Sequence, residues 1–196
     1  PSQCDLLHLD FWKGGVNLLR DAGSYSYNCE EPWQSYFKSM AGHNTIEFDG
    51  RDSMPKISRF LYGAWPKARE VMSLVERDGA LSVAAGYSDW LGAFHHRAVM
   101  LQENVLSVED RFHGFAEKAV LRWRLAPGRW HWEGDWLVGG DEQSRVQLRV
   151  RGSAPIVRCE LVQGWESRYY SQKTPLPILE IEVAEAGTLT TELRLL

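Results

Sequence analysis

The sequence predicts an all-β protein, a large antiparallel β-sandwich of about a dozen or more strands. Three observations predict it. Apolar and polar residues alternate in segment after segment, most strictly in SRVQLRVRG. Turn residues recur about every 8–12 positions. No stretch of about ten residues keeps a helical period.

The elements follow in order. HLDFWKGGVNLL reads as a hairpin turning at Lys13-Gly14-Gly15. Thr45, Ile46 and Phe48 favour a strand, which Asp49-Gly50 closes as a turn. AREVMSLVERDGALSVAAGY gives two strands around Asp78-Gly79, and AFHHRAVMLQENVLSVEDRF gives two more turning near Glu103-Asn104. EKAVLRWRLAPG, RWHWEGDWLVGG turning at Gly134, SRVQLRVRG, PIVRCELVQG, PLPILEIEVAE and TLTTELRLL complete the series. Residues 22–42, AGSYSYNCEEPWQSYFKSMAG, are the exception. They alternate poorly, yet Tyr25, Tyr27, Trp33, Tyr36 and Phe37 make them too aromatic for disorder. A loop of about twenty residues in a compact domain is usually functional, so an ordered loop at one edge of the sandwich is expected.

Composition excludes several classes. The 196 residues are 44% hydrophobic, enough for a substantial core, and the only weak boundary falls near Gly114 to Glu117. With a net charge of −4 and no basic block, nucleic acid is not an expected partner. The apolar runs are too short to span a bilayer. Cys4, Cys29 and Cys159 form no CxxC pair, which excludes a structural zinc knot; one disulfide with a spare thiol and three thiols both fit. The chain opens already entering a strand and reads as a piece of something longer, so the missing signal peptide says nothing about secretion.

His43-Asn44 stands at the mouth of a strand, where an apolar pair would stabilise more. The pair either caps the strand end through side-chain hydrogen bonds or faces a site. In FHHR, His95 and Arg97 share one strand face and His96 takes the other. Arg97 suits a substrate carboxylate through bidentate hydrogen bonds, with Asp110 or Glu109 as the competing internal partner. Trp130, Trp132 and Trp136 cluster in RWHWEGDW and fit either sugar stacking or sheet packing. His8 alternates with Leu7 and Leu9, alongside Asp10 and Trp12, and fits either a cleft-lining residue or, the favoured reading, a satisfied sheet histidine.

DLLHLDFWKGGVNLLRDAGSYSYN followed by GHNTIEFDGRD resembles the heparinase II/III-like family of bacterial polysaccharide lyases, and so do FHHRAVMLQENVLSVEDRFHG and SRYYSQKTPLPILEIEV. Together these motifs cover most of the chain in the right order. The resemblance is to the C-terminal β-sandwich domain, here residues 1–196, which in that family packs against an N-terminal α/α toroid. It implies β-elimination at a uronic acid of an acidic polysaccharide. That chemistry needs a base, a neutraliser of the neighbouring carboxylate and an acid for the leaving oxygen. The resemblance also implies a bacterial periplasm or cell-envelope location.

The resemblance makes Asp21 and His43 ligands of Zn²⁺, with a third ligand from a His-Ala-Asp motif. Here that motif reads Gln3-Cys4-Asp5, with Cys4 as the one substitute donor, so a metal-free Asp21–His43 hydrogen bond is the expectation. In either form the pair anchors the loop. The resemblance implies a cleft tyrosine in that loop, Tyr36, for proton transfer. Tyr25 and Tyr27, on one face if extended, compete with it and are candidate substrate contacts, as are Arg97 and Tyr169. A non-catalytic carbohydrate-binding or structural sandwich is the alternative, and the loss of the histidine at Gln3 favours it.

Overall fold

In chain order the strands are β1 (Phe11–Lys13), β2 (Val16–Leu19), β3 (Ile46–Phe48), β4 (Lys56–Ser58), β5 (Leu61–Tyr62), β6 (Lys67–Arg77), β7 (Ala80–Ser88), β8 (Phe94–Gln102), β9 (Val105–His113), β10 (Ala119–Arg124), β11 (His131–Glu133), β12 (Trp136–Gly139), β13 (Val146–Gly152), β14 (Ile156–Glu166), β15 (Thr174–Val183) and β16 (Gly187–Leu195). A four-residue helix, α1 (Trp33–Tyr36), and a 3-10 turn at Met40–Gly42 lie between β2 and β3. The computed structural model describes residues 3–59, 61–140 and 145–196. Pro1, Ser2 and Ser144, the last expected to open the strand that here begins at Val146, lie outside the described residues.

The strands pair antiparallel into an eight-stranded sheet, β11-β12-β13-β16-β9-β8-β7-β6, and a four-stranded sheet, β14-β15-β10-β3. Two small hairpins, β1-β2 and β4-β5, stand apart. The hairpins follow the turn chemistry read from the sequence. At Asp78-Gly79 both residues have positive φ, 52° and 75°, the mirror-image turn whose twist suits flanking strands.

The core is the sum of the alternating faces. In β9, Leu106, Val108 and Phe112 point inward with Asp110 between them, while Glu109, Arg111 and His113 face water. Leu189 and Leu193 of β16 meet them from the same sheet, and Leu121 and Trp123 of β10 with Leu179, Ile181 and Val183 of β15 close the cluster from the other. Since Leu121 and Trp123 face this core, Arg122 and Arg124 project from the opposite face of β10. Arg122 is paired there with Glu47 and Glu180.

The 22–42 segment covers that outer face at its Arg124 end, where Trp33 also meets Trp165 of β14 edge-on. The expected ordered loop is present, but it lies over a sheet face as well as at an edge. The three cysteines are free thiols. Among the described residues no helix is long and apolar enough to cross a membrane.

Candidate functional site

Asn44 ties four chain segments together. Its side-chain amide donates to the Leu9 and Arg20 carbonyls at 2.9 and 3.2 Å, and its Oδ1 accepts the Arg124 N–H at 2.6 Å. Its own carbonyl accepts Arg97 Nη1 at 2.5 Å, and its N–H donates to His8 Nδ1 at 2.9 Å. An apolar residue here would leave the Leu9 and Arg20 carbonyls and the Arg124 N–H without the partners that the Asn44 side chain gives them, a cost of about 1–3 kcal/mol for each. That answers why a polar pair stands at the mouth of β3.

Beside this knot lie His8, Asp21 and His43, whose ligand atoms fall within 4.8 Å of one another. Asp21 Oδ2 is 2.8 Å from His43 Nδ1 and 3.6 Å from His8 Nε2, and Oδ1 accepts the Gly23 N–H at 2.5 Å. The two rings meet edge to face at 5.3 Å. His43 is fully buried, whereas the Asp21 side chain keeps 36% of its surface in contact with water. Burial pushes the His8 imidazole down to about 4, the Asp21 charge opposing it. Burial also disfavours the Asp21 anion, but the hydrogen bonds from His43 and Gly23 outweigh it and hold the carboxyl below its usual range.

Asp21 also lines a pocket of about 200 Å³ with Trp12, Arg20, Glu166, Ser167 and Arg168. Arg20 Nη1 donates to both carboxylate oxygens of Glu166, at 2.9 and 3.0 Å. Arg168 is exposed and has no ion-pair partner among the described residues. The indole of Trp12 is half exposed, with its N–H on Asp10. Tyr169 and Tyr170 follow Arg168 in the chain and are exposed, and Tyr170 meets exposed Tyr27 ring to ring at 5.9 Å. Gly23, with φ +79°, is required at the pocket wall: a Cβ there would overlap the Ser167 carbonyl, to which it is bridged.

Several residues singled out in the sequence take other places. Arg97 is a correction. It is buried, with Nε and Nη2 on the two oxygens of Asp110 at 2.7 and 3.0 Å and Nη1 on the Leu7 and Asn44 carbonyls. A guanidinium so occupied has nothing to offer a substrate, and the internal partner weighed for it is the one it takes. Tyr36 has partners inside the domain. Its oxygen accepts Arg124 Nη1 at 3.0 Å and the Trp165 N–H at 3.1 Å, and it does not line the pocket beside Asp21. It serves the fully buried Arg124, whose Nη2 donates to the Trp165 carbonyl. Tyr25 has φ +49°, so it does not share an extended face with Tyr27; it stacks on Phe37 at 5.2 Å.

The substitutes considered for the third ligand are elsewhere. Gln3 reaches Ser24 at 3.5 Å, and Cys4 is buried with Met40, Met54 and Tyr62, where burial pushes its thiol up to about 12. His8 takes that place instead, and the sequence reading missed it. Leu7 has φ +57°, so the chain turns before β1 and the assumed alternation through residues 7–9 does not exist. No local signal marks this.

Two imidazoles and a carboxylate are chemically suitable zinc donors. Their hydrogen bonds are not. His8 Nδ1 accepts from the Asn44 N–H and His43 Nδ1 faces an acceptor-only carboxylate, so both nitrogens turned to Asp21 carry protons. As arranged, these residues do not fit an ion.

A model of the family described as Heparinase II/III-like, C-terminal, matches residues 1–187. No curated protein matches. Among solved structures, a heparinase III gene product superimposes with a TM-score of 0.83 at 16% identity, covering 99% of this chain and 30% of that one. Another heparinase III gives 0.82 at 14% identity with the same coverage. Heparan sulfate lyase HepC from Pedobacter heparinus gives 0.80 at 15% identity, covering 98% and 30%. At such identities the likeness is one of fold, and the chain spans 30% of the length of these relatives.

Proposed function

Because the chain belongs to the heparinase II/III-like C-terminal family, we propose that residues 1–196 are the sandwich domain of a polysaccharide lyase that cleaves uronic-acid-containing glycans by β-elimination. The domain completes a substrate cleft with an N-terminal α/α toroid of the same full-length protein, which works in a bacterial periplasm or cell envelope. The observation that carries this reading is the pocket beside Asp21, where Trp12 and Arg168 lie on one open face. An indole packs against a pyranose ring, and a guanidinium without an internal partner takes a carboxylate or sulfate bidentately. Tyr27 and Tyr169 extend that surface along the chain of sugars.

Removal of the C5 proton needs a base, and departure of the glycosidic oxygen needs an acid, both within hydrogen-bond reach of one sugar. With Tyr36 and Arg97 occupied internally, the base and the acid belong to the toroid. This domain binds and orients. Zinc has no part in the reading.

A non-catalytic glycan-binding module is the second reading, favoured by the same internal use of Tyr36. The test uses the full-length protein and the 196-residue chain on a panel of acidic glycans, with heparan sulfate first because HepC is named for it, followed by chondroitin and alginate. Turnover, read as the ultraviolet absorbance of the unsaturated uronate, is expected from the full-length protein and not from the isolated chain. Arg168→Ala in the full-length protein should raise KM about tenfold or more, since a charged hydrogen bond contributes about 1.5–3 kcal/mol. Binding without turnover by the full-length protein selects the module. Unchanged KM in Arg168→Ala removes the pocket from the substrate path.

A further inference from the structure

Asp21 and His43 occupy the two ends of the 22–42 loop, where the family resemblance implies a zinc ion. Which nitrogens around Asp21 carry protons follows from their neighbours. An N–H donor aimed at His8 Nδ1 requires a lone pair there, so the proton of the neutral ring is on Nε2. That is the atom turned to Asp21, 3.6 Å from Oδ2, facing the anion without closing a full hydrogen bond. An ionised carboxylate only accepts, so His43 Nδ1 donates to it at 2.8 Å. The Gly23 N–H is a third donor on the same group.

A metal between these side chains needs unprotonated nitrogen facing it from both rings. His8 can supply that only by becoming an imidazolate or by turning its ring and leaving the buried Asn44 N–H without an acceptor. Asn44 cannot follow, because four other hydrogen bonds hold it. We propose that this chain holds Asp21 without a metal: the His43 Nδ1–H binds Oδ2 at 2.8 Å and the His8 Nε2–H faces the same oxygen at 3.6 Å, a charge contact beyond hydrogen-bond reach, so the three side chains form a metal-free clamp at the two ends of the loop. His8, not Gln3 or Cys4, is the third member of this cluster. The clamp also fixes the Asp21 carboxylate at the wall of the Trp12–Arg168 pocket, and its existence is independent of whether the full-length protein is a lyase.

The test is made on the 196-residue chain, purified without chelator and ¹⁵N-labelled. Two-bond proton–nitrogen correlation spectra should show His8 as the Nε2–H tautomer and His43 as the Nδ1–H tautomer, both unchanged on addition of zinc chloride or EDTA. Elemental analysis should find substoichiometric zinc, and the melting temperature should be the same in zinc and in EDTA. His8→Ala should melt lower than the parent by an equal shift in both. One zinc per chain, a melting temperature that falls in EDTA, or an Nδ1–H tautomer at His8 overturns the proposal. If His8→Ala does not fold, the tautomer spectra and chelator melts of the unaltered chain decide alone.

Discussion

Arg97 shows how a side chain can look reactive in sequence and be structural in space, and Tyr36 has a structural partner of its own. The Tyr36 oxygen is the acceptor for one Nη of Arg124, a buried guanidinium with no ion-pair partner among the described residues. Tyr36→Phe should therefore destabilise the fold by about 1–3 kcal/mol, measured by urea denaturation, while leaving kcat of correctly folded full-length enzyme unchanged. A large loss of kcat at unchanged stability would return Tyr36 to the chemistry. Arg97→Ala leaves Asp110 buried without its cation, and breaking such a pair costs about 3–5 kcal/mol. The expected result is a large fall in the denaturation midpoint, and a shift under about 1 kcal/mol would show that the Arg97–Asp110 pair contributes little net stability.

Among the elements, the 22–42 segment depends most on contacts far away in sequence. It is held at one end by Asp21 and Gly23, in its middle by Tyr36 against β14, and at the other end by His43. Gly23→Ala tests the first attachment. Its φ of +79° costs an L-residue about 1–2 kcal/mol, and the new Cβ overlaps the Ser167 carbonyl. The bridge to Ser167 should open, and limited proteolysis should then cut within 22–42 faster than in the parent. An unchanged cleavage pattern would mean that the Tyr36 and His43 attachments hold the loop without the Gly23 bridge.

For the whole molecule, acid stability is set by ionisable groups inside the sandwich. Burial holds His95 below the ordinary imidazole value of 6.5, although Asp110 accepts from its Nε2 at 2.7 Å. The unfolded chain takes up that proton as pH falls through 6.5 and the folded chain does not, so folding stability must decline on the acid side of 6.5. Burial works against the Asp110 anion, but the Arg97 charge outweighs it and holds the carboxyl at about 2. Its contribution is present above 3.8 and is lost as pH falls from there through 2, in the same direction. Denaturation midpoints measured between neutral pH and pH 2 should fall in these two stages, and His95→Asn should reduce the first, to which buried His8 contributes in the same direction.

The sequence by itself determined the sheet elements, because alternation and turn chemistry are local. Asp78-Gly79 specifies its own hairpin, and Leu106, Val108 and Phe112 declare a buried face whatever covers it. It also brought Asp21 and His43 together, through the pattern of a family. Tertiary structure decided what those local signals do not encode. Periodicity says that Arg97 and Asp110 share a strand face, but not that this face lies under Asn44. It says that Arg124 alternates with Trp123, but not that the loop carrying Tyr36 folds over it. The positive φ of Leu7, in a turn closed by the His8 N–H on the Asp5 carbonyl at 2.9 Å, turned His8 out of the expected strand and towards Asp21. Partners in the site come from segments far apart in the chain, so their choice belongs to the topology of the two sheets.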